Sequence, residues 1–331
     1  MPDTTATTMT AIVRDRYGPP DTVLRTVRTP RPTPGPGQVL VRVHAAGIDQ
    51  GTWHLTTGLP YLTRLFGYGI RRPRTTGIGE DLAGTVTAIG EGVTDLTPGD
   101  EVMGTAPGAC AQYALTTTDD LVRKPTTLTF EQAATLPTCG RTALQALRTG
   151  GDLKDRTVLI IGASGGVGTL AVALAADAGA RVTGVCGPAT LDLVRSLGAT
   201  HVIDRTRAEI TDHGHRHDLI IDTAGHRPLR LLRRALNPHG TLVIVGSEGG
   251  GPLIQGTDRQ LRAALWSPFT THTLTGLITE NSPRDLAHLA DLAAQGRLTP
   301  MVARTFPLTD TTAALAHVRA GHNGGKVVVL P

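Results

Sequence analysis

The chain has 331 residues, 40% of them apolar, a composition that suits a folded protein of about two domains. Its net charge of +4 is spread along the sequence as scattered arginines, too diffuse for a nucleic-acid-binding stripe but compatible with an anionic ligand. Three widely separated cysteines, Cys110, Cys139 and Cys186, include no C-x-x-C pair, so neither a disulfide framework nor a cysteine-based zinc site is expected.

The opening "MPDTTATTMT" lacks a signal-peptide pattern and no apolar run is long enough to span a bilayer, so a cytoplasmic protein without membrane partners is expected. Residues 1–8 read as a flexible polar tail. From Thr10 to Lys124 the texture is β: "TAIVRD", "QVLVRVHAAG", "LAGTVTAIG", "DEVMGT" and "AQYAL" are short strands punctuated by Gly and Pro. "TFEQAATLPTCGRTALQALRTG" then carries helical spacing from an N-cap at Thr129 to Gly150.

Beyond Gly150 the pattern becomes strand–helix alternation. Strands are expected at 158–162, 181–186, 201–204, 218–222 and 241–246, with helices near 167–179, 189–197 and 228–236. Repeated βα units of this kind build a parallel sheet covered on both faces. After Gly246 come "TLTGLIT", a helix, "MVARTFPL", another helix and the strand "GKVVVL", read as the β domain resuming. The expected division is therefore a catalytic domain at 9–128 and 270–331 interrupted by a cofactor domain at 129–269.

In "VLIIGASGGVGTLAVALAADAGARVTGVCG", Gly162, Gly165 and Gly168 stand at G-x-x-G-x-x-G spacing between a strand and a helix, with Gly166 added. Side chains are missing where a turn is tight, where a diphosphate must approach backbone and where helix packs on strand. Ser164 and Val167 complete the candidate loop. The second strand ends in Cys186 and Gly187, where NAD-preferring enzymes place a carboxylate on the ribose hydroxyls. With no such acid to repel it, a 2′-phosphate is tolerated, and Arg205 after "HVID" could pair with it; NADP(H) is the expected cofactor. A solvated strand-end arginine is the plainer alternative.

Together these residues resemble the medium-chain dehydrogenase/reductases, in their zinc-free quinone oxidoreductase and enoyl reductase branch. The resemblance covers nearly the whole chain, through "RYGPPDTVLRTVRTPRPTPGPGQVLVRVHAAGI", "LAGTVTAIGEGVTDLTPGDEVMG", "TFEQAATLPTCGRTALQAL", "GASGGVG", "VTGVCGPATLDLVRSLGATHVIDRT" and "GHNGGKVVV". It implies an α/β protein in which a GroES-like β-barrel catalytic domain is split by an inserted Rossmann doubly wound parallel sheet, with a cleft between them, commonly as a homodimer. It further implies that Asp222, Thr223, Ala224 and Gly225, then Val245, Gly246 and Ser247, lie beside the nicotinamide half of the cofactor, with Thr138 and Thr142 near its ring.

Zinc-dependent members carry an early cysteine and a G-H-E turn. Here Glu80 stands in the imidazole's place and "GIDQGTWHLTTG" has no cysteine, so no metal is expected. The histidines of "DHGHRHD" (212–218) read as a solvated loop between strands three and four, although three imidazoles could gather a stray ion. Without a Lewis acid, simple alcohol oxidation is disfavoured, whereas hydride addition to a polarised C=C is open. Related sequences read N-P-V-D-W-H-L where this one has Asp49-Gln50-Gly51-Thr52-Trp53-His54-Leu55. An ionised Asp49 cannot donate a hydrogen bond to a substrate oxygen. It is protonated, holds the nicotinamide ribose, or marks a changed substrate.

Tyr61 is the favoured proton donor, against an interface-packing role, and Trp53 and His54 are expected to wall the pocket. Tyr61, Phe66 and Tyr68 followed by Arg71, Arg72 and Arg74 form either an aromatic lid with a basic rim, for an anionic or carrier-bound substrate, or a solvated arginine loop. Trp266 and Phe269 either line the pocket or pack a dimer contact. The expectation is an NADPH-dependent reductase of activated C=C bonds acting on a small molecule. The alternatives are a zinc-free carbonyl/alcohol oxidoreductase, and a nucleotide-binding protein or non-redox pathway catalyst that keeps the fold.

Overall fold

The computed structural model describes residues 7–65, 68–212, 214–246, 248, 251, 253, 256–321 and 324–331. The chain divides into two compact units. One comprises Met1–Thr138, Asn281–Gly296 and Val302–Pro331; the other comprises Cys139–Glu280 and Arg297–Met301. The junctions expected after residues 128 and 269 precede these.

The first unit is built on a seven-stranded sheet in the order Val302–Pro307, Lys326–Leu330, Gln38–Ile48, Asp81–Ile89, Glu101–Thr105, Leu121–Arg123, with Tyr113–Thr117 also pairing with Gln38–Ile48. All these pairings are antiparallel except that of the last two segments of the chain. Buried Val39, Val41, Val43, Leu82, Val102 and Val327 are among its core residues. A separate ribbon pairs Thr8–Val13 with Arg25–Pro30. Of the polar tail expected over 1–8, residues 1–6 lie outside the described residues, and Thr8 already pairs with Pro30.

Helical spacing from Thr129 to Gly150 resolves into two helices. Thr129 caps Phe130–Ala133 in a capping box with Gln132, and a second helix runs Pro137–Arg148. Proline at 137 disfavours helical backbone at Leu136 and is itself suited to the first turn of a new helix, so the break falls there.

The second unit holds six parallel strands: β1 (Thr157–Ile161), β2 (Arg181–Cys186), β3 (His201–Asp204), β4 (His217–Asp222), β5 (Leu236–Ile244) and β6 (Thr273–Gly276). Their order is β3-β2-β1-β4-β5-β6. This doubly wound order reverses between β1 and β4, the switch point outside which dinucleotides bind. Helices Gly166–Asp177, Leu191–Ser196 and Leu229–Arg234 follow β1, β2 and β4 as their sequence spacing requires. The strand within "TLTGLIT", grouped by sequence with the closing β segments, instead adds to β5 as the sheet's edge.

His217, expected on a solvated loop, opens β4 and is buried; neither ring nitrogen finds a hydrogen-bond partner among the described residues. Burial, reinforced by His215, holds its imidazole down to about 4. The unfolded side chain titrates near 6.5, so between those values the unfolded chain binds the extra proton. This contribution to stability is complete above pH about 6.5 and declines as pH falls toward about 4. His217→Leu should flatten that acid limb, by up to about 3 kcal/mol, in urea unfolding measured across this range.

Candidate functional site

The C-terminal edge of the parallel sheet is assembled from backbone. Gly162 has φ of 83°, and a Cβ there would collide with the Thr223 hydroxyl. The Gly162 and Ala163 N–H groups donate to the Val185 carbonyl at 3.1 and 3.0 Å, tying the loop to β2. Gly165 caps helix Gly166–Asp177 in extended conformation. Gly168 faces β1 so closely that a Cβ would meet the Gly162 carbonyl and lie 2.8 Å from Ala163 Cα. The first N–H groups of such a helix have no partner within it. Gly165 N–H donates to the Gly162 carbonyl at 3.0 Å, and the N–H groups of Gly166, Val167 and Gly168, with the helix dipole behind them, form a cradle of the kind that suits a diphosphate.

Asp222 closes β4 and is 0% exposed. Its Oδ1 accepts from Ala224 and Gly225 N–H at 3.2 and 3.1 Å, and Arg259 Nη2 donates to Oδ2 at 2.5 Å. The Asp222 carbonyl accepts from both Val245 and Gly246 N–H at 3.0 Å, and Thr223 Oγ1 donates to the Ile161 carbonyl at 2.8 Å. The loops after β1, β4 and β5, which include Asp222–Gly225 and Val245–Gly246, are thus stitched together. Ser247 lies outside the described residues, as do Phe66 and His213.

Cys186 ends β2 opposite Asp204 of β3, and Arg205 N–H donates to the Cys186 carbonyl at 3.0 Å. A Cβ on Gly187 would lie 3.7 Å from Arg205 Nε and 3.9 Å from its Nη2. The exposed guanidinium therefore flanks the bare glycine at the second strand's end. Burial pushes the Cys186 thiol up, with the Thr190 hydroxyl opposing.

Two neighbours escaped the sequence reading. Asp204 is a carboxylate at this edge, but it accepts from Thr206 N–H and Oγ1 at 2.9 and 2.7 Å, which together hold it below the ordinary range. Arg195, on the helix after β2, adds a second positive charge near Cys186 and is paired with Asp192 at 2.6 Å. "HVIDRT" carried the signal for Asp204, one residue before the arginine chosen.

In the first unit, Asp49 is the N-cap of helix Gln50–Thr57. Its Oδ1 accepts from Thr52 N–H at 2.9 Å and Thr52 Oγ1 at 3.1 Å. Its Oδ2 accepts from Lys326 Nζ at 2.9 Å. Burial opposes ionisation of Asp49, but the Lys326 ammonium and the Thr52 donors outweigh it and hold the carboxyl below the usual range. Thr52 is therefore engaged by Asp49. Lys326 also bonds Asp81, whose Oδ1 accepts from Thr138 Oγ1 at 2.5 Å. Burial, with Asp49 nearby, pushes Asp81 upward despite Lys326. Burial and Asp49 likewise push the Cys110 thiol up to about 12. Neither Lys326 nor Asp81 was singled out from sequence; the only local cue was a lone lysine entering the apolar run "KVVVL".

His54 Nδ1 lies 2.9 Å from the Leu59 carbonyl, and Trp53 packs beneath Arg319 at 4.4 Å and against the core. Tyr61 is 45% exposed with Arg64 stacked 4.5 Å over its ring. Tyr17 holds the segment beyond it by donating to the Tyr68 and Gly69 carbonyls, each at 2.8 Å. Arg71, Arg72 and Arg74 are exposed. In the second unit, Thr142 shares a 3.0 Å hydrogen bond with Thr279.

A parallel sheet of this order, edged by a glycine-rich cradle, and a mostly antiparallel β unit together define a two-unit dinucleotide oxidoreductase. Comparison with known proteins agrees. The alcohol dehydrogenase GroES-like domain profile matches residues 35–127, and the zinc-binding dehydrogenase profile matches residues 197–329. The chain is 31% identical to the chloroplastic quinone-oxidoreductase QR1 of Triphysaria versicolor over 98% of both chains. It is 30% identical to the mitochondrial NAD(P)H oxidoreductase RTN4IP1 of Mus musculus, over 98% of this chain and 89% of that one. Among solved structures, the quinone oxidoreductase from Coxiella burnetii superposes with a TM-score of 0.83 at 29% identity, covering 98% of this chain and 99% of that one. The CurK enoyl reductase superposes with a TM-score of 0.82 at 25% identity, covering 97% and 99%. The chain belongs to the medium-chain dehydrogenase/reductase family, in its zinc-independent quinone oxidoreductase branch.

Zinc, named in one of those profiles, does not fit the donor set: among the described residues no group of three or more His, Cys, Asp or Glu is arranged to hold a metal. Asp49 and Asp81, the acidic pair of the first unit, already hold an ammonium. A dinucleotide does fit the cradle. Gly162→Ala should weaken dinucleotide binding by at least about tenfold, because the added methyl displaces Thr223 and strains φ; fluorescence titration with NADH and NADPH checks this.

Proposed function

We propose that this chain is an NADPH-dependent, zinc-independent reductase of activated C=C bonds in quinones, enones or enoyl thioesters. The observation that carries the cofactor choice is the Arg205 guanidinium beside bare Gly187, with the nearest carboxylate, Asp204, engaged by Thr206. The relatives named as NAD(P)H and quinone oxidoreductases, and the enoyl reductase neighbour, support the reaction class.

When bound, the cofactor supplies a hydride from nicotinamide C4. The N–H groups of Ser164, Gly166, Val167 and Gly168 hold its diphosphate, with Gly165, whose own N–H is bonded to the Gly162 carbonyl, leaving room for its approach, and Arg205 pairs with the 2′-phosphate. The stitched Asp222–Gly225 and Val245–Gly246 backbone orients the nicotinamide half. Tyr61 donates the proton that balances the hydride, to the α-carbon or oxygen of the developing enolate, and is reprotonated from water. Asp49 is ionised and accepts hydrogen bonds, so it does not supply that proton. The Arg71, Arg72 and Arg74 rim suits an anionic or carrier-bound portion of the substrate.

We also infer a cytoplasmic homodimer. Exposed Leu261, Leu265, Trp266 and Phe269 lie on or just beyond helix Thr257–Trp266, next to β6, the edge strand of the sheet. An apolar patch beside an open edge is a surface that a second copy covers. Among the described residues no helix is long and apolar enough to cross a membrane.

Turnover of NADPH with a panel of quinones, enones and ketones, with products identified, tests the reaction; reduction confined to C=O overturns the C=C assignment. Arg205→Ala should raise the NADPH Kd by at least about tenfold, the loss of one charge-assisted pair, while leaving NADH within about twofold. Equal losses for both coenzymes remove Arg205 from the phosphate. Tyr61→Phe should lower kcat by about 10²-fold with NADPH affinity unchanged, read by steady-state kinetics and fluorescence titration.

A further inference from the structure

Lys326 is one of only three lysines in a chain whose other cationic side chains are arginines. It enters the apolar strand Lys326–Leu330, and its side chain is 1% exposed. Its ammonium bonds two carboxylates that come from different strand ends, Asp49 after Gln38–Ile48 and Asp81 at the head of Asp81–Ile89. The backbone beside it is bare: a Cβ on Gly47 would stand 2.8 Å from Lys326 Cε and 3.1 Å from Asp81 Cβ. A compact point charge suits two separate carboxylates, whereas the planar fork of arginine suits one. Taking this group out of water is costly and is offset only by close pairing, so the cluster is fixed rather than adaptable.

Asp49 is the member of the cluster that meets solvent, with a side chain 23% exposed. Thr52 N–H, Thr52 Oγ1 and Lys326 Nζ take three of its roughly four acceptor positions, leaving one on Oδ2 among the described residues. We propose that Lys326 is a positioning residue: its buried ammonium fixes Asp49 as an ionised acceptor whose remaining lone pair receives a ligand hydroxyl. That hydroxyl belongs to a hydroquinone product. The inference rests on the reductase reading for the identity of the ligand, but not for the state of Asp49.

The other ionisable groups near Asp49 are Asp81, from the adjacent strand, and the Cys110 thiol. On its own helix, His54 faces the Leu59 carbonyl. Helix Thr311–Ala320, packed on that helix, brings His317 against Phe306 and Arg319 over Trp53. Helix Pro20–Val23 brings Asp21. Among the described residues none of these bonds the Asp49 carboxylate, whose ionic partner is Lys326.

The test compares wild type with Lys326→Met and with the double variant Asp81→Asn/Lys326→Met, which removes one charge of each sign and keeps the cluster's net charge. Difference infrared spectroscopy, each protein against its own Asp49→Asn counterpart, reads the Asp49 carboxylate band without turnover. It therefore separates failure of this inference from failure of the reductase reading. In wild type the band should persist below pH about 4, and in both variants it should vanish at least about one pH unit higher. The acid limb of kcat/KM with NADPH and 1,4-benzoquinone should move with it. The product-inhibition constant of hydroquinone should rise in both variants at unchanged NADPH Kd, and an unchanged constant overturns the assignment of its hydroxyl to Asp49. An Asp49 band that titrates at the same pH in wild type and in the folded double variant overturns the proposal.

Discussion

Helix Gly166–Asp177 lies so close to β1 that only glycine can occupy position 168, and this approach governs the architecture of the cofactor unit. It brings the helix N-terminus over the strand end, which forces Gly162 into left-handed backbone and leaves the Thr223 hydroxyl to bond the Ile161 carbonyl. Thr223 in turn sets the loop that Asp222 anchors, and the carbonyl of Asp222 holds the loop after β5. The edge is thus made of main-chain amides in mutual contact. The few charged side chains at its rim are Arg205, Arg195 and Asp204, grouped around the end of β2.

The parallel sheet was legible because buried parallel strands are continuous apolar runs and the turns between them are marked by glycine. The edge strand β6 was assigned elsewhere because "TLTGLIT" is short and far along the chain from its partner β5. Helix Gln50–Thr57 passed unnoticed: "QGTWHLTT" is rich in weak helix formers, and only the cap at Asp49 announces it. The loop glycines and Arg205 could be read from spacing. Lys326 could not, since its two carboxylate partners lie 277 and 245 residues away and no local pattern encodes such a pairing.

Relative to related sequences, Asp49 and Thr52 are departures that looked like a loss of substrate contacts. They form one local unit. An aspartate at the N-cap accepts from the third helical residue and favours the positive end of the helix dipole, and the threonine hydroxyl adds a second donor to the same oxygen. The departure therefore exchanges a neutral amide for a permanent charge, and that charge is tolerable where it stands because an ammonium has been buried beside it.

The same ammonium has a consequence for biosynthesis. Asp49 and Asp81 emerge from the ribosome early, along with the strands that carry them, whereas their counter-ion follows only after the whole inserted unit has been made. Until then, closing the sheet would bring two carboxylates together in a water-poor interior with nothing to neutralise them. Gly47 leaves a slot there that the Ala134 carbonyl, Lys326 and Asp81 together close. The strand that carries the ammonium is also the one whose register against Gln38–Ile48 sets it beside both carboxylates.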